Sequence, residues 1–208
     1  MARLPREYYL GDTVGAARDL LGKTLVRVLD GEALVCRITE TEAYVGRCDK
    51  ACHAYGYRRT DRTAVLFGPP GYAYIYFIYG MHHCLNLVTE PAGEPAAVLI
   101  RSLEAVSGEE TIRRLRFGGQ AEKNLTAYQR RNFLNGPGKL CKALSLTTKE
   151  NGLDLTGNTL FLCESPDDVG LPRPFPLRER VCAGPRIGVD YAEEARDFPW
   201  RFWLEREE

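Results

Sequence analysis

The sequence predicts a mixed α/β fold of the α+β type, in which a single domain over residues 1–208 contains a largely antiparallel β-sheet flanked by helices. Three observations favour this fold. Apolar runs of strand length outnumber helical patterns, hairpin-type turns join several of these runs, and no regular strand–helix–strand alternation occurs. A chain of 208 residues with 44% hydrophobic and 27% charged residues is typical of one ordinary domain.

The elements follow from local patterns. Thr13 can cap a first helix and Gly22 can end it. Asp30 and Gly31 form the dipeptide that suits a type I′ hairpin turn, and Gly80 lies near the tip of a second hairpin. In chain order we predict a helix at 13–23, strands at 23–29 and 32–44, a hairpin at 71–90, a strand at 96–103, helices at 108–116 and 136–144, strands at 158–164 and 185–190, and an aromatic tail at 199–204 that packs back on the core.

Charge is unevenly distributed along the chain. The formal net charge is zero, but residues 53–142 carry 12 Lys and Arg against 7 Asp and Glu, an excess of +5. A neutral chain with a basic middle can present a cationic face to nucleic acid; charges mixed evenly over the surface are the alternative.

Membrane insertion is not indicated. No apolar run approaches the roughly 18 residues of a bilayer span, and the N-terminal residues lack a secretory apolar region. We expect a cytoplasmic protein without a membrane partner.

The seven cysteines predict reduced thiols. Their number is odd, they are scattered, and no CxxC pair occurs. Cys48, Cys52 and His53 are close enough in sequence to suggest metal ligands, but a second ligand pair is missing, so we expect no metal. A metal-dependent hydrolase that uses these three residues remains an alternative.

The segment RITETEAY places two carboxylates at the end of an apolar strand. Because side chains alternate on a strand, Glu40, Glu42 and Tyr44 share one face. A partly buried carboxylate with an adjusted pKa is a good general base for activating water. The alternative is that both glutamates only pair with arginines at the sheet edge.

The segment YAYIYFIYGMHH concentrates aromatic rings. Tyr72, Tyr74 and Tyr76 share one strand face, which is typical either of sheet packing or of a slot for a flat ligand. Tyr79 lies beside Gly80 at the turn, where a bulky side chain can act as a wedge.

Wedges and aromatic slots together are typical of enzymes that flip a nucleobase out of a duplex. Arg58, Arg59, Arg62 and Lys139 can supply phosphate contacts. The helix that begins after the glycine-rich segment 136–138 can add backbone donors for phosphate.

Five segments follow one another in the order found in a known family. They are ITETEAYVGRCDKACHAYGYRRTDR, YIYFIYGMHHCLN, AVLIRSLE, NGPGKLCKAL and RIGVDYAEEARDFPWRFW. From about Pro5 to Trp203 the chain resembles the alkyladenine (3-methyladenine) DNA glycosylase family, of the type found in mammals and many bacteria.

The resemblance implies a curved sheet similar to the C-terminal domain of methionyl-tRNA formyltransferases. It also implies a monomeric, monofunctional base-excision-repair hydrolase of bacterial, nucleoid-associated type. Such an enzyme uses no metal or cofactor and removes 3-methyladenine, 7-methylguanine, hypoxanthine or ethenoadenine from double-stranded DNA.

The resemblance also implies roles for individual residues. Glu42 aligns with the general base that deprotonates the attacking water, and Arg101 and a backbone carbonyl near Ile187 help to hold that water. Tyr79 aligns with the intercalating side chain. The flipped base would contact Tyr44, His53, Tyr76 and Asn86, of which Asn86 crowds the 2-amino group of normal guanine, and the DNA backbone would contact Arg58, Thr60, Arg62 and Lys139.

Two departures from the family pattern and one rival interpretation remain. The loop between Asn86 and Arg101 is slightly longer than in the mammalian form, which bears on the alignment of Arg101. His82 and His83 stand where relatives often carry aromatic residues, so contacts near the wedge are expected to differ. The rival is a non-catalytic RNA- or DNA-binding domain on the same fold, which would have no need of Glu42.

Overall fold

The computed structural model of the protein describes residues 2–172 and 178–207. The strands of this part are β1 (Thr24–Leu29), β2 (Glu32–Val45), β3 (Ala73–Ile78), β4 (His82–Val88), β5 (Ala96–Ser107), β6 (Leu160–Cys163), β7 (Glu179–Gly184) and β8 (Arg201–Arg206). Its α-helices are α1 (Thr13–Asp19), α2 (Glu109–Phe117), α3 (Ala127–Arg131) and α4 (Pro137–Ala143). None of the helices described is long and apolar enough to cross a membrane.

The eight strands form one sheet, and every pairing in it is antiparallel. Its main path runs β3-β4-β5-β2-β1-β6, while β8 pairs with both β2 and β7. The predicted mixed α/β fold with a largely antiparallel sheet flanked by helices is therefore confirmed.

Strand β2 is 14 residues long and pairs with three other strands of the sheet. Its first half pairs with β1, and residues 40–42 pair with β8 on the same edge, while β5 follows the other edge. The register with β5 shifts on both sides of Glu40, as at a β-bulge. The end of β2 is therefore enclosed between β5 and β8.

The two sheet faces pack against different layers. Ala73 and Ile75 point into the main core, which also contains Ala17 of α1, Ile112 of α2 and Leu140 of α4. Tyr74 and Tyr76 of β3, and Tyr72 just before it, point to the opposite face. They pack in a second cluster together with Cys52, Ala54 and Leu66. The prediction that these three tyrosines share one face is confirmed.

Both predicted hairpins are present. Asp30 and Gly31 have φ values of 50° and 84° between the paired residues Leu29 and Glu32, as a two-residue type I′ turn requires. The second hairpin turns through residues 79–81, between the paired residues Ile78 and His82.

Two local predictions were wrong. Asp12, not Thr13, caps α1, because its carboxylate accepts a 2.7 Å hydrogen bond from the Gly15 amide. Thr13 is buried and donates to Glu90 instead. Residues 185–190 are not a strand, because β7 ends at Gly184 and the chain then leaves the sheet as a loop.

Candidate active site

A cavity of about 290 Å³ opens on the aromatic face of the sheet. Residues of β3, β4 and β5 line it together with Tyr44 at the end of β2 and residues of the segments 51–66 and 187–191. The lining includes Tyr44 of the TEAY strand, Tyr76 and Asn86 of the tyrosine hairpin, His53 of the segment between them and Arg101 of β5. Residues that the sequence analysis selected separately therefore meet at one place.

Glu42 lies behind the wall of this cavity, with a side-chain exposure of 0%. One carboxylate oxygen, Oε1, accepts a 2.8 Å hydrogen bond from the Ile187 amide. The other, Oε2, accepts a 2.7 Å hydrogen bond from the Tyr44 hydroxyl and a 3.2 Å bond from Arg101 Nη1. The carboxylate is thus fixed in orientation, and three groups that line the cavity surround it.

Burial raises the pKa of Glu42 above its usual value. The Arg101 charge and the hydrogen bonds from Ile187 and Tyr44 act in the opposite direction, and the nearby Glu40 raises the pKa again. Burial prevails, so this carboxylate is a stronger base than an exposed glutamate.

The predicted common face of Glu40, Glu42 and Tyr44 is confirmed by the contacts of Arg101. This guanidinium donates from Nε to Glu40 at 3.1 Å and from Nη1 to Glu42 at 3.2 Å. The alternative interpretation, pairing of both glutamates with arginines, is therefore also part of the observed arrangement. It does not compete with a role for Glu42, because the pairing holds the carboxylate at the cavity.

The wall formed by Tyr44 is supported from behind by a buried ion pair. The Arg186 guanidinium lies 4.6 Å from the centre of the Tyr44 ring. It donates to both carboxylate oxygens of Asp49, and both side chains have an exposure of 0%. Because Arg186 precedes Ile187, the same pair positions the amide that bonds Glu42.

His53 and Tyr76 form an aromatic corner of the cavity. Their ring centres are 4.6 Å apart at an interplanar angle of 74°, and His53 Nδ1 is 3.0 Å from the Tyr74 hydroxyl. Burial, with the Arg62 charge, lowers the pKa of His53 to about 4. His53 is therefore a neutral imidazole near neutral pH.

Asn86 lies at the floor, where it is buried and pairs in register with Tyr74 and Leu99. Its side-chain amide donates to the Tyr74 carbonyl at 3.1 Å. This bond to the backbone fixes the orientation of the Asn86 side chain at the cavity.

Tyr79 stands at the tip of the second hairpin and is 78% exposed. Its φ of 54° and that of Gly80, 66°, turn the chain so that the ring projects away from the sheet beside the cavity mouth. The ring is therefore largely free of contacts within the described part of the protein, at the position where the sequence predicted a wedge.

The four candidates for DNA-backbone contact lie on two sides of the cavity. Arg58, Thr60 and Arg62 belong to one exposed loop, in which the Thr60 amide donates to Thr63 at 2.8 Å. Arg62 also lies 4.9 Å from the Tyr76 ring centre. Lys139 is on α4, next to a groove that His82, Arg116 and Lys142 also line.

Gly138 joins this second side to the wedge hairpin. A Cβ at this position would lie 2.8 Å from Cγ of the His82 ring, so the close contact between α4 and the hairpin requires glycine. The unusual His82 is therefore part of the packing that holds the hairpin.

Within the described ranges, no group of three or more His, Cys, Asp or Glu side chains could hold a metal ion. Cys48 is exposed whereas Cys52 is buried, so the two thiols face different surroundings. The structure therefore does not assemble the ligand set of the metal-dependent alternative.

Sequence reasoning missed Asp49, Arg186 and Arg201. Arg201 donates to Glu40 at 3.1 Å across 161 positions of sequence, and the Arg186–Asp49 contact spans 137. No motif or spacing in the sequence signals such distant pairs.

Comparison with known proteins adds one consistent set of matches. A family model described as methylpurine-DNA glycosylase matches residues 7–208. A protein of Bacillus cereus strain G9842, named "Putative 3-methyladenine DNA glycosylase", is 49% identical over 199 residues, which cover 96% of this chain and 94% of the relative. Proteins of the same name from Bacillus cereus strain Q1 and Bacillus thuringiensis strain Al Hakam are 48% and 47% identical over 201 residues, which cover 97% of this chain and 95% of each relative.

Proposed function

The chain belongs to the methylpurine-DNA glycosylase family and is a monofunctional DNA glycosylase of base excision repair, and from this premise we propose that it hydrolyses the N-glycosidic bond of damaged purines with a water activated by Glu42. The proposed substrates are 3-methyladenine, 7-methylguanine, hypoxanthine and ethenoadenine in double-stranded DNA. The product is an abasic site.

The observation that carries this proposal is the environment of Glu42. A fully buried carboxylate, fixed by an amide, a hydroxyl and a guanidinium, lies directly behind an aromatic cavity. Burying a charge is costly, and a buried carboxylate with a raised pKa beside a cavity is typical of a functional site.

In the proposed reaction the bond between C1′ and the purine nitrogen breaks, and its electron pair leaves with the base. The water oxygen bonds to C1′, and Glu42 accepts one of its protons. Positive charge that develops on the sugar is opposed by the same carboxylate. Arg101 helps to orient the water through the N–H groups that it does not use for Glu40 and Glu42.

The cavity favours a flat and electron-poor base. Tyr44, Tyr76 and His53 offer ring faces and edges, and aromatic faces attract a cationic alkylated purine. His53 adds no positive charge of its own near neutral pH, because its pKa is lowered to about 4. Asn86 would crowd the 2-amino group of normal guanine and so act against the undamaged base.

Tyr79 is proposed to enter the duplex and occupy the position of the flipped nucleotide. Arg58, Thr60, Arg62 and Lys139 are proposed to contact phosphates on the two sides of this wedge, which gives affinity without sequence preference. A monomer would carry all of these groups.

The test is single-turnover release of base from duplexes that contain one hypoxanthine or one alkylated adenine, with EDTA present. Glu42→Gln is expected to lower the rate by about 10²–10⁴-fold while duplex binding persists. Glu104→Gln is the matched control, because Glu104 is a carboxylate of β5 that pairs with Arg37 and Arg206 instead of with the site. Equal rates for wild type and Glu42→Gln would remove Glu42 as the base. No release by wild type would favour the non-catalytic nucleic-acid-binding alternative.

A further inference from the structure

Four side chains of alternating charge form a continuous chain at the end of β2. Glu42 contacts Arg101 at 3.2 Å, Arg101 contacts Glu40 at 3.1 Å, and Glu40 contacts Arg201 at 3.1 Å. They come from the three neighbouring strands β2, β5 and β8. Only Glu42 and Arg101 have a role in the mechanism proposed above.

The sheet geometry explains why these groups meet. Arg201 is the first residue of β8 and pairs in register with Glu42. The register of β2 with β5 shifts on both sides of Glu40. This bulge places Glu40 against Ser102, next to Arg101, so its carboxylate meets the guanidinium at the Nε edge.

As a result, the Arg101 guanidinium bonds two different carboxylates through two of its nitrogens. Its Nε is bonded to Glu40 and its Nη1 to Glu42, and among the described residues no acceptor is bonded to Nη2. An arginine beside a single carboxylate tends to bind it with two parallel hydrogen bonds. Here Nε is bonded to Glu40 and Nη1 to Glu42, so each of the two carboxylates accepts a single hydrogen bond from this guanidinium.

We propose that Glu40 is a positioning residue for the reaction, which holds Arg101 so that this arginine gives Glu42 one hydrogen bond and keeps an N–H group directed to the cavity. The inference rests on the proposed function, because it concerns the water that Glu42 activates. Glu40 itself does not touch the substrate.

Glu40 also adjusts the charge around the base. The charged and titratable groups that face Glu42 are Arg101 on β5, Arg201 on β8, Arg186 in the loop, Tyr44 and Glu40 on β2, and Cys84 on β4. Among these groups, the Arg101 charge lowers the pKa of Glu42 and the Glu40 charge raises it. Removing the Glu40 charge would therefore lower the pKa of Glu42, because the surrounding cations would no longer be opposed by it.

The outer end of the chain connects the site to solvent and to the loop. Glu40 is 20% exposed and lines a separate groove together with Ser102, Arg201 and Trp203. Arg201 donates from Nε to the Pro185 carbonyl at 3.0 Å, two residues before the Ile187 amide that bonds Glu42. The same network therefore holds both the arginine and the loop that surround the base.

The experiment is the pH dependence of single-turnover base release from a duplex with one hypoxanthine, measured for wild type, Glu40→Gln and Glu104→Gln. Glutamine keeps the acceptor for Arg101 Nε but removes the charge. For Glu40→Gln the acid limb of the pH–rate profile is expected to move to lower pH by about one unit, because the negative charge that raises the pKa of Glu42 is lost. This size corresponds to two charges that are two residues apart on a strand, at an effective dielectric constant of about 20 with some screening. The plateau rate is expected to fall roughly three- to tenfold, since Glu42 becomes a weaker base.

Glu104→Gln is expected to match wild type, because Glu104 lines the same groove without touching Arg101. Arg201→Gln is the second variant. Because it removes a positive charge, we expect it to raise the pKa of Glu42 and to move the acid limb to higher pH. Both shifts are readouts that a purely structural role would not produce, and duplex binding is expected to be unchanged.

An acid limb that stays at the wild-type pH in both variants, while Glu42→Gln is inactive, would overturn the role of Glu40 alone. A wild-type protein that releases no base would overturn the proposed function, and the role of Glu40 with it. The two failures are therefore distinct.

Discussion

The buried ion pair between Asp49 and Arg186 allows a quantitative test of what holds the site together. Both side chains are fully enclosed, and Arg186 Nη2 donates to Asp49 Oδ1 at 2.7 Å. Arg186 also donates to the carbonyls of Ala43 and Ala195, at 2.7 Å and 3.0 Å. The pair thus links the end of β2, the segment after it and the loop that carries Ile187.

The perturbation is Asp49→Asn, which keeps the size of the side chain. Asp49 accepts from both Nη nitrogens of Arg186, so the amide group of asparagine must face one of these donors. The guanidinium then stays buried without its counter-charge, which costs about 3–5 kcal/mol of unfolding free energy. With a urea m-value of about 2–3 kcal/mol/M, the midpoint falls by roughly 1–2.5 M.

The assay is equilibrium unfolding in urea, followed by fluorescence of the two tryptophans, of which Trp200 lies 5.3 Å from Arg186. Lys50→Gln is the control. Lys50 makes an exposed ion pair with Glu193 and Glu194 between the same two segments, and such pairs contribute little. A loss below about 1 kcal/mol for Asp49→Asn, or an equal loss for Lys50→Gln, would refute the reasoning.

Three further outcomes are expected. Gly138→Ala would place a Cβ 2.8 Å from Cγ of the His82 ring, so the urea midpoint should drop by the equivalent of about 1–2 kcal/mol. Gly11→Ala, with no atom within 4 Å and an extended backbone, should keep the midpoint or raise it slightly, and equal midpoints for the two variants would contradict the clash. Tyr79→Ala should leave stability unchanged, since the ring is 78% exposed, but should lower base release from duplex more than from single strands; equal losses on both substrates would argue against a wedge. Because the pKa of His53 is lowered to about 4, the unfolded chain takes up its proton first, so stability should fall between about pH 6.5 and 4. His53→Gln should flatten that part of the urea-midpoint profile, and an unchanged slope would contradict the low pKa.

The fold was predictable wherever a local rule governs the backbone. Asp30 and Gly31 adopt positive φ because the turn between two paired strands demands it. Residues 185–190 were misread as a strand because Ile187 and Val189 alternate with polar or small neighbours, as strand residues do. Their position depends instead on Arg186 and a carboxylate 137 residues away, which a local pattern does not contain.

The site residues were likewise predictable only where a local rule applies. Alternation along one strand placed Glu40, Glu42 and Tyr44 on one face, and the contacts of Arg101 confirm it. Arg101 itself came from the family resemblance, not from spacing. Arg201 was missed because its contact with Glu40 depends on how β8 returns to β2, after a path of 161 residues.

The position of Glu42 opposes stability and serves chemistry. Its pKa is raised in the folded protein, so its favourable contribution to folding is present below the unfolded pKa and is lost as the pH rises through the folded one. Near neutral pH, where the carboxylate must be charged to accept a proton, the fold therefore bears the cost of burying it. The Arg186–Asp49 pair does not touch Glu42, yet it holds the loop whose Ile187 amide bonds that carboxylate. In the proposed reaction this second ion pair therefore supports Glu42 as well as the fold, because a looser loop would let water solvate Glu42 and return its pKa towards that of an ordinary surface glutamate.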